Sequence, residues 1–308
     1  MLIRGVLPPV ITPFTADGDL DQSAFTNNIQ RWNNTRLAGL LVNGSNSEAA
    51  YLNWEERLQL VKLASKYLTA GRHLMAGTGC ESLRETTRFT QACADAGAQS
   101  ALVLTPSYYG GAMTSTALIR FFTSLADASP IPILIYNVPK FTHVNIKADA
   151  VAELSKHPNI AGMKDSTGDI PQLVSFLNVA DPNFQILVGT ASAWFPALCL
   201  GVQGAIMALA NCLPDACARV QELYEAGENA KAQALYQVLF PVNTAVTGTY
   251  GVPGLKAACD MEGFHGGHVR SPLLDSSPED RDKIAGILQT AHDKMASLGV
   301  QKLRFSGV

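Results

Sequence analysis

At 308 residues, 47% hydrophobic and 16% charged, the chain has ample apolar material for one large α/β domain or two ordinary ones, and this composition excludes general disorder. The net charge of −3 gives no long-range attraction to nucleic acid or to an acidic membrane, so neither is expected as a partner. No apolar run approaches the roughly 18 residues that span a bilayer. The start from Met1 to Val10 also lacks the basic segment and cleavage site of a signal peptide, so a cytoplasmic protein is expected.

Short β-type runs alternate with longer helical patterns along the chain. The runs are Gly5–Thr12, Gly39–Asn43, His73–Thr78, Ser100–Thr105, Ile131–Asn137, Ile160–Lys164, Gln185–Gly189 and Gly204–Ala208. Amphipathic stretches at Trp54–Tyr67, Leu83–Ala96, Ser115–Ala128, Ala148–Lys156, Ile170–Asn178 and Ala193–Leu200 lie between them. Strands that are nearly continuous in apolar residues suit a parallel sheet buried on both faces. Eight strand-helix repeats predict a (β/α)8 TIM barrel. A doubly wound open sheet is the competitor, but no glycine-rich phosphate loop follows the first run. After residue 212 the strand signals stop, and Pro214–Ala226, Glu228–Leu239, Pro253–Met261 and Pro278–Leu298 read as helices. The expected division is a barrel core over residues 1–212, its last helix following, and a C-terminal helical region over 213–308.

The chemistry collects at the C-terminal ends of the strands, where barrels of this class place their active sites. Lys164 closes the run that starts at Ile160. It is either a cation that snorkels from a strand end or an amine whose burial depresses its pKa for Schiff-base attack on a ketone. The same mouth holds Tyr108, Tyr109 and Tyr136, several hydroxyls and glycine amides, without a histidine–carboxylate pair. Tyr136 and Tyr108 suit proton relay, whereas Tyr109 suits a loop anchor. Gly44, Ser45 and Asn46 can supply donors to a substrate carboxylate, and Glu48 reads as a cap or first-turn carboxylate of the following helix. Lys256, in apolar surroundings on a C-terminal helix, ranks below Lys164. The six cysteines form no C-x-x-C pair and read as mostly buried, reduced thiols. His265 and His268 lack an acidic neighbour cluster, so no metal is expected.

Four segments resemble, in order, the dihydrodipicolinate synthase / N-acetylneuraminate lyase family of class I aldolases: Gly44 to Glu48, Thr105 to Tyr109, Tyr136 to Pro139, and Gly162 to Ser166. The resemblance extends from Gly5 to about Pro272. It implies that Lys164 forms the Schiff base with pyruvate, that Tyr136 shuttles protons beside it, and that Ser45 relays between two tyrosines. Tyr108 is similar to the tyrosine that enters the neighbouring subunit's site, which implies a homotetramer built as a dimer of dimers. Asn46 and the Ser45 amide would hold the pyruvate carboxylate, and Ser166, Gly189 and Ile206 would contact the rest of the ligand. The covalent adduct takes the place of any cofactor.

Two positions depart from the family pattern. Phe141 stands where the family's synthases carry an arginine that grips the aldehyde substrate's carboxylate, with Lys140 the one basic neighbour. Ser47 stands where glycine is usual. The segments Ala76 to Ser82, Tyr108 to Met113, Ser129 to Pro132 and His157 to Asp165 are similar to the 4-hydroxy-2-oxoglutarate aldolase branch. The expected activity is therefore cleavage of a 4-hydroxy-2-oxo acid to pyruvate and an aldehyde. The alternatives are condensation of pyruvate with aspartate semialdehyde, cleavage of a 2-keto-3-deoxy-sugar acid or N-acetylneuraminate, and a barrel that binds ligand without catalysis. A sugar-derived substrate would call on the hydroxyls of Ser166, Thr167 and Thr190.

Overall fold

A computed structural model describes residues 3–300. Eight parallel strands run β1 (Gly5–Leu7), β2 (Gly39–Val42), β3 (His73–Gly77), β4 (Ser100–Leu104), β5 (Ile133–Asn137), β6 (Ile160–Asp165), β7 (Gln185–Val188) and β8 (Gly204–Ile206). From β2 to β8 each strand pairs with its sequence neighbour, and β1 pairs with β8. The remaining seam closes through Val6 O to Ala38 N at 3.0 Å and Pro8 O to Leu41 N at 3.0 Å. The sheet is a barrel, and the open doubly wound alternative is excluded.

Alternation along the strands explains their continuous apolar reading. Leu7, Leu41, Met75, Leu102, Leu134, Leu187 and Ile206 point inward and form one cluster. Val6, Leu40, Val42, Ala101, Val103, Ile133, Ile135 and Met163 point outward and pack beneath the helices in another. Both faces are buried, as a parallel barrel requires.

The outer layer comprises α1 (Gln22–Trp32), α2 (Trp54–Tyr67), α3 (Leu83–Asp95), α4 (Ser115–Ala128), a short α5 (Pro139–Thr142), α6 (Ala148–Leu154), α7 (Ile170–Val179), α8 (Trp194–Cys199) and α9 (Pro214–Glu225). Side-chain caps set several starts: Asp21 accepts from Ala24 N, Asn53 and Glu56 form a reciprocal box, and Ser82, Thr114 and Asp169 cap α3, α4 and α7. Beyond these lie α10 (Asn229–Asn243), α11 (Gly251–Met261) and α12 (Pro278–Ser297). The expected C-terminal region reaches 308, and its last residues, 301–308, lie outside the described ones.

Two boundaries differ from expectation for backbone reasons. The first strand ends at Leu7 because Pro8 and Pro9 carry no N–H for a ladder, although Val10 N still reaches Leu41 O at 2.9 Å. The helix expected to stop at Leu239 continues through Pro241 to Asn243 and passes into a π-helical segment, Thr244–Thr249. Proline withdraws one donor from the ladder, and a wider turn follows just beyond it. Among the described residues no helix is long and apolar enough to cross a membrane.

Gly162 is in register with Leu134 on β5 and Gln185 on β7, and a Cβ there would lie 2.1 Å from the Gln185 carbonyl oxygen. Gly162→Ala should therefore force β6 and β7 apart and destabilise the fold by about 1–3 kcal/mol, read as a lower urea midpoint. An unchanged midpoint would show that the two strands are not held this closely.

Candidate active site

Lys164 lies on β6 directly in register with Tyr136 on β5, so two residues 28 positions apart become side-by-side neighbours. Adjacent strands are separated by about 4.8 Å, and register partners project to the same face. Tyr136 belongs to the inward cluster, and the Lys164 Nζ sits 4.3 Å from the centre of its ring. Lys164 is 3% exposed and Tyr136 6%. Burial pushes the Lys164 pKa down from its ordinary 10.5, and the Tyr136 hydroxyl opposes that shift in part. The shift is towards the neutral, nucleophilic form, and the snorkelling alternative does not fit a side chain this enclosed.

The Tyr136 hydroxyl is 3.3 Å from Ser45 Oγ, and either can donate. Ser45 and Asn46 sit half-buried on a 3-10 turn, Ser45–Ser47, that follows β2. Ser47 braces this turn. Its hydroxyl donates to Val10 O at 2.5 Å and accepts from Gly44 N at 3.0 Å, while its own carbonyl accepts from Thr12 Oγ1 at 2.8 Å. Positive φ falls on Asn43 and Glu48 and not on Ser47, so the turn has no conformational need for the usual glycine.

Gly189, just after β7, lets backbone lie close to the lysine. A Cβ there would lie 1.8 Å from Ser166 Oγ and 2.8 Å from Lys164 Cε. The Ser166 hydroxyl is buried and has no hydrogen-bond partner, which leaves it free for a ligand. Ile206 is fully buried at the end of β8 in the inward cluster. The fold therefore gathers Lys164, Tyr136, Ser45, Ser166 and Gly189.

Tyr108 stands apart. It is 79% exposed, packed edge-on against Tyr109 at 5.0 Å, and its loop is pinned by Glu81, whose carboxylate accepts from Ser107 N at 2.9 Å and Tyr108 N at 3.0 Å. Lys140 directs its ammonium towards Thr247 O at 3.4 Å, and Phe141 is 58% exposed.

Sequence reading missed a polar network behind the site and misjudged Glu48 and Thr167. Asn137, in register with Asp165, donates to its carboxylate at 2.7 Å, and Thr167 donates to it at 2.5 Å. Burial pushes the Asp165 pKa up, against the pull of these bonds. Thr167 is thereby committed as a donor and is lost from the set of hydroxyls open to a sugar-type substrate. Glu48 precedes a short 3-10 turn, Ala49–Tyr51, but its side chain makes no cap hydrogen bond there; α2 begins six residues after Glu48 under Asn53, and the Glu48 carboxylate is buried against Lys256 at 2.5 Å. Lys256 is as buried as Lys164, at 2% exposed, because the loop after α11 folds over it. Only the apolar context of Lys256 hinted at this burial. Nothing in local spacing links it to a residue 208 positions away.

The profile of the Dihydrodipicolinate synthetase family matches residues 2–291. The chain is 33% identical to a 4-hydroxy-tetrahydrodipicolinate synthase of Methanococcoides burtonii, over 94% of this chain and 98% of that one. It is 34% identical to a probable mitochondrial 4-hydroxy-2-oxoglutarate aldolase of Emericella nidulans, over 91% and 92% of the two chains. Among solved structures it is similar to a prophage protein of the dihydrodipicolinic acid synthase family from E. coli K12 in complex with pyruvate. That match has a TM-score of 0.89 at 29% identity, covering 94% of this chain and 99% of that one.

The Lys164 shift has a sign that can be tested. Its folded pKa is below the unfolded 10.5, so between the two values the unfolded chain holds a proton that the folded chain has shed. Stability therefore rises with pH across that window and is reduced below it, where an ammonium must be buried. Lys164→Met removes the group. The variant should be at least as stable as wild type at neutral pH, and its advantage should shrink as pH approaches 10.5. Urea midpoints across the range would decide, and a constant difference would sink the buried-amine assignment.

Proposed function

Because the chain belongs to the dihydrodipicolinate synthetase family, as the match over residues 2–291 shows, we propose that it is a pyruvate-forming aldolase cleaving a 4-hydroxy-2-oxo acid such as 4-hydroxy-2-oxoglutarate. It is a lyase of the class I, Schiff-base type. The observation that carries the Schiff-base reading is the buried Lys164 amine beside the Tyr136 phenol, with Ser45 in reach of that phenol.

In this reading the neutral Lys164 amine adds to the C2 ketone of the substrate, and the carbinolamine loses water to a protonated iminium. Tyr136 removes the C4 hydroxyl proton, the C3–C4 bond breaks, and its electron pair flows to the iminium nitrogen to give an enamine. The aldehyde leaves. Protonation at C3 and addition of water then release pyruvate and restore the amine. Asn46 and the Ser45 amide hold the pyruvate carboxylate, and Ser166, Gly189 and Ile206 line the remainder of the ligand. The adduct on Lys164 serves in place of a cofactor. Exposed Phe141 and the Lys140 ammonium near Thr247 O tell against the synthase, since neither offers aspartate semialdehyde's carboxylate a guanidinium, and the second carboxylate of 4-hydroxy-2-oxoglutarate would call on a different donor.

Exposed Tyr108 belongs to the same proposal. We take it to enter the site of a neighbouring subunit in a homotetramer, a dimer of dimers in the cytoplasm. The barrel core over 1–212 would then carry the chemistry and the region from 213 onward would support it.

Borohydride reduction in the presence of pyruvate should trap a covalent adduct at Lys164, absent in Lys164→Ala. Pyruvate release from 4-hydroxy-2-oxoglutarate should outpace condensation of pyruvate with aspartate semialdehyde. If only condensation is seen, the aldolase reading fails and the synthase reading replaces it. Tyr108→Phe should lower turnover by about 10- to 100-fold while leaving adduct formation largely intact. Full turnover in a dilute monomer would count against a shared site.

A further inference from the structure

The buried charges that the chemistry leaves unused converge on the back of the Ser45–Ser47 turn. Glu48 is the residue that ends this turn, and its backbone is left-handed at φ 56, which a non-glycine residue adopts only when its surroundings hold it there. Its carboxylate is enclosed. One oxygen meets Lys256 Nζ at 2.5 Å, and the other accepts from Arg270 N at 2.8 Å. The side chains of Glu48 and Lys256 are 1% and 2% exposed, so neither charge has water as an alternative partner.

The partners of Glu48 are themselves anchored. Lys256, on α11, also donates to His268 O at 2.5 Å and lies 4.6 Å from the Phe14 ring. Arg270 covers the same ring at 4.3 Å and forks onto Glu56 with two contacts of 2.7 Å. Its guanidinium also donates to Gly18 O and Tyr51 O. Two cations thus lie against the Phe14 ring, and the Phe14 carbonyl accepts from His268 N at 3.0 Å. Helix α11 and the loop after it reach across to the first loop, the Ser45–Ser47 turn and the start of α2. On the opposite side the turn is pinned to the strand end by Ser47 and Val10.

We infer that Glu48 and Lys256 are positioning residues: their buried ion pair couples the C-terminal helical region to the Ser45–Ser47 turn and fixes the donors that receive the substrate's carboxylate. The inference rests on the proposed reading of that turn as the carboxylate site. It gives α11 a role in substrate affinity without contact with the substrate. A misplacement of about 1 Å in such donors is felt strongly, because the hydrogen bonds to a carboxylate depend on distance and direction. Removing one partner leaves the other charge buried and unpaired, whereas neutralising both removes that penalty.

The test uses the full chain and the variants Lys256→Met, Glu48→Gln and the double variant, each checked for a cooperative thermal transition. Amide exchange is the first readout. In Lys256→Met the amides from Ser45 to Glu48 should exchange at least about 10-fold faster while those of β5 and β6 stay protected. Pyruvate trapping is the second. The half-saturating pyruvate concentration should rise about 10- to 100-fold, with the saturating trapping rate within about threefold of wild type. The double variant should recover most of both changes. Unchanged exchange across the turn in a folded Lys256→Met overturns the inference, as does an equal loss in half-saturation and saturating rate. Should Lys256→Met fail to fold, Glu48→Gln, which keeps an acceptor for Arg270 N, is judged by the same two readouts. If exchange changes as expected but wild type traps no pyruvate, the coupling stands and the reading of the turn as a pyruvate site fails.

Discussion

The parallel pairing of β5 and β6 is the constraint on which the site depends. It sets Tyr136 and Lys164 side by side on the inner face, with Asn137 and Asp165 side by side on the outer one. A slip of one residue would turn the lysine out of the barrel and bring the aspartate in. The Asn137–Asp165 hydrogen bond ties the ends of β5 and β6 together at 2.7 Å, and on the other side of β6 Gly162 lets β7 approach at close range. Gly189 extends the same economy of space to β7, where any side chain would strike Ser166 or Lys164.

Among the described residues two lysines are buried, and their surroundings give them opposite characters. Both have pKa values pushed down by burial. For Lys256 the Glu48 carboxylate opposes the shift by direct charge attraction, so the pair is held as an ion pair. For Lys164 the opposing group is a phenol, which stabilises the ammonium far less. Burial without a charged partner shifts an amine towards its neutral form, and a neutral amine is what attack on a ketone requires. One lysine is suited to hold a turn in place and the other to bond with a ligand.

Much of the fold was legible because each element obeys a local rule. Helices at Trp54–Tyr67 and Ser115–Ala128 begin and end where periodicity placed them, helped by Asn53 and Thr114 caps. The strands were found by their apolar runs, and errors at their ends were of one or two residues except where prolines stopped β1 or a whole turn was added to α10. The site was legible in part. Lys164, Tyr136, Ser45, Ser166 and Gly189 fall near one another because strand ends in a parallel barrel share one rim, so each strand's last residues could be read as rim residues. Glu48 was misread for the complementary reason: a carboxylate just before a helix has a local explanation, and its actual partner is reached only through the folding of α11 over the rim.

What the sequence determined by itself was therefore the set of rim residues and the barrel that carries them, since both follow from periodicity and from residue types at strand ends. What only the tertiary structure decided was which of those groups are free. Ser166 keeps an unpartnered hydroxyl and Thr167 does not, Lys164 is beside a phenol and Lys256 beside a carboxylate, and Tyr108 faces outward. Ionisation and hydrogen-bond availability depend on burial and on partners far away in the chain, and neither is a property of a residue's immediate neighbours in sequence.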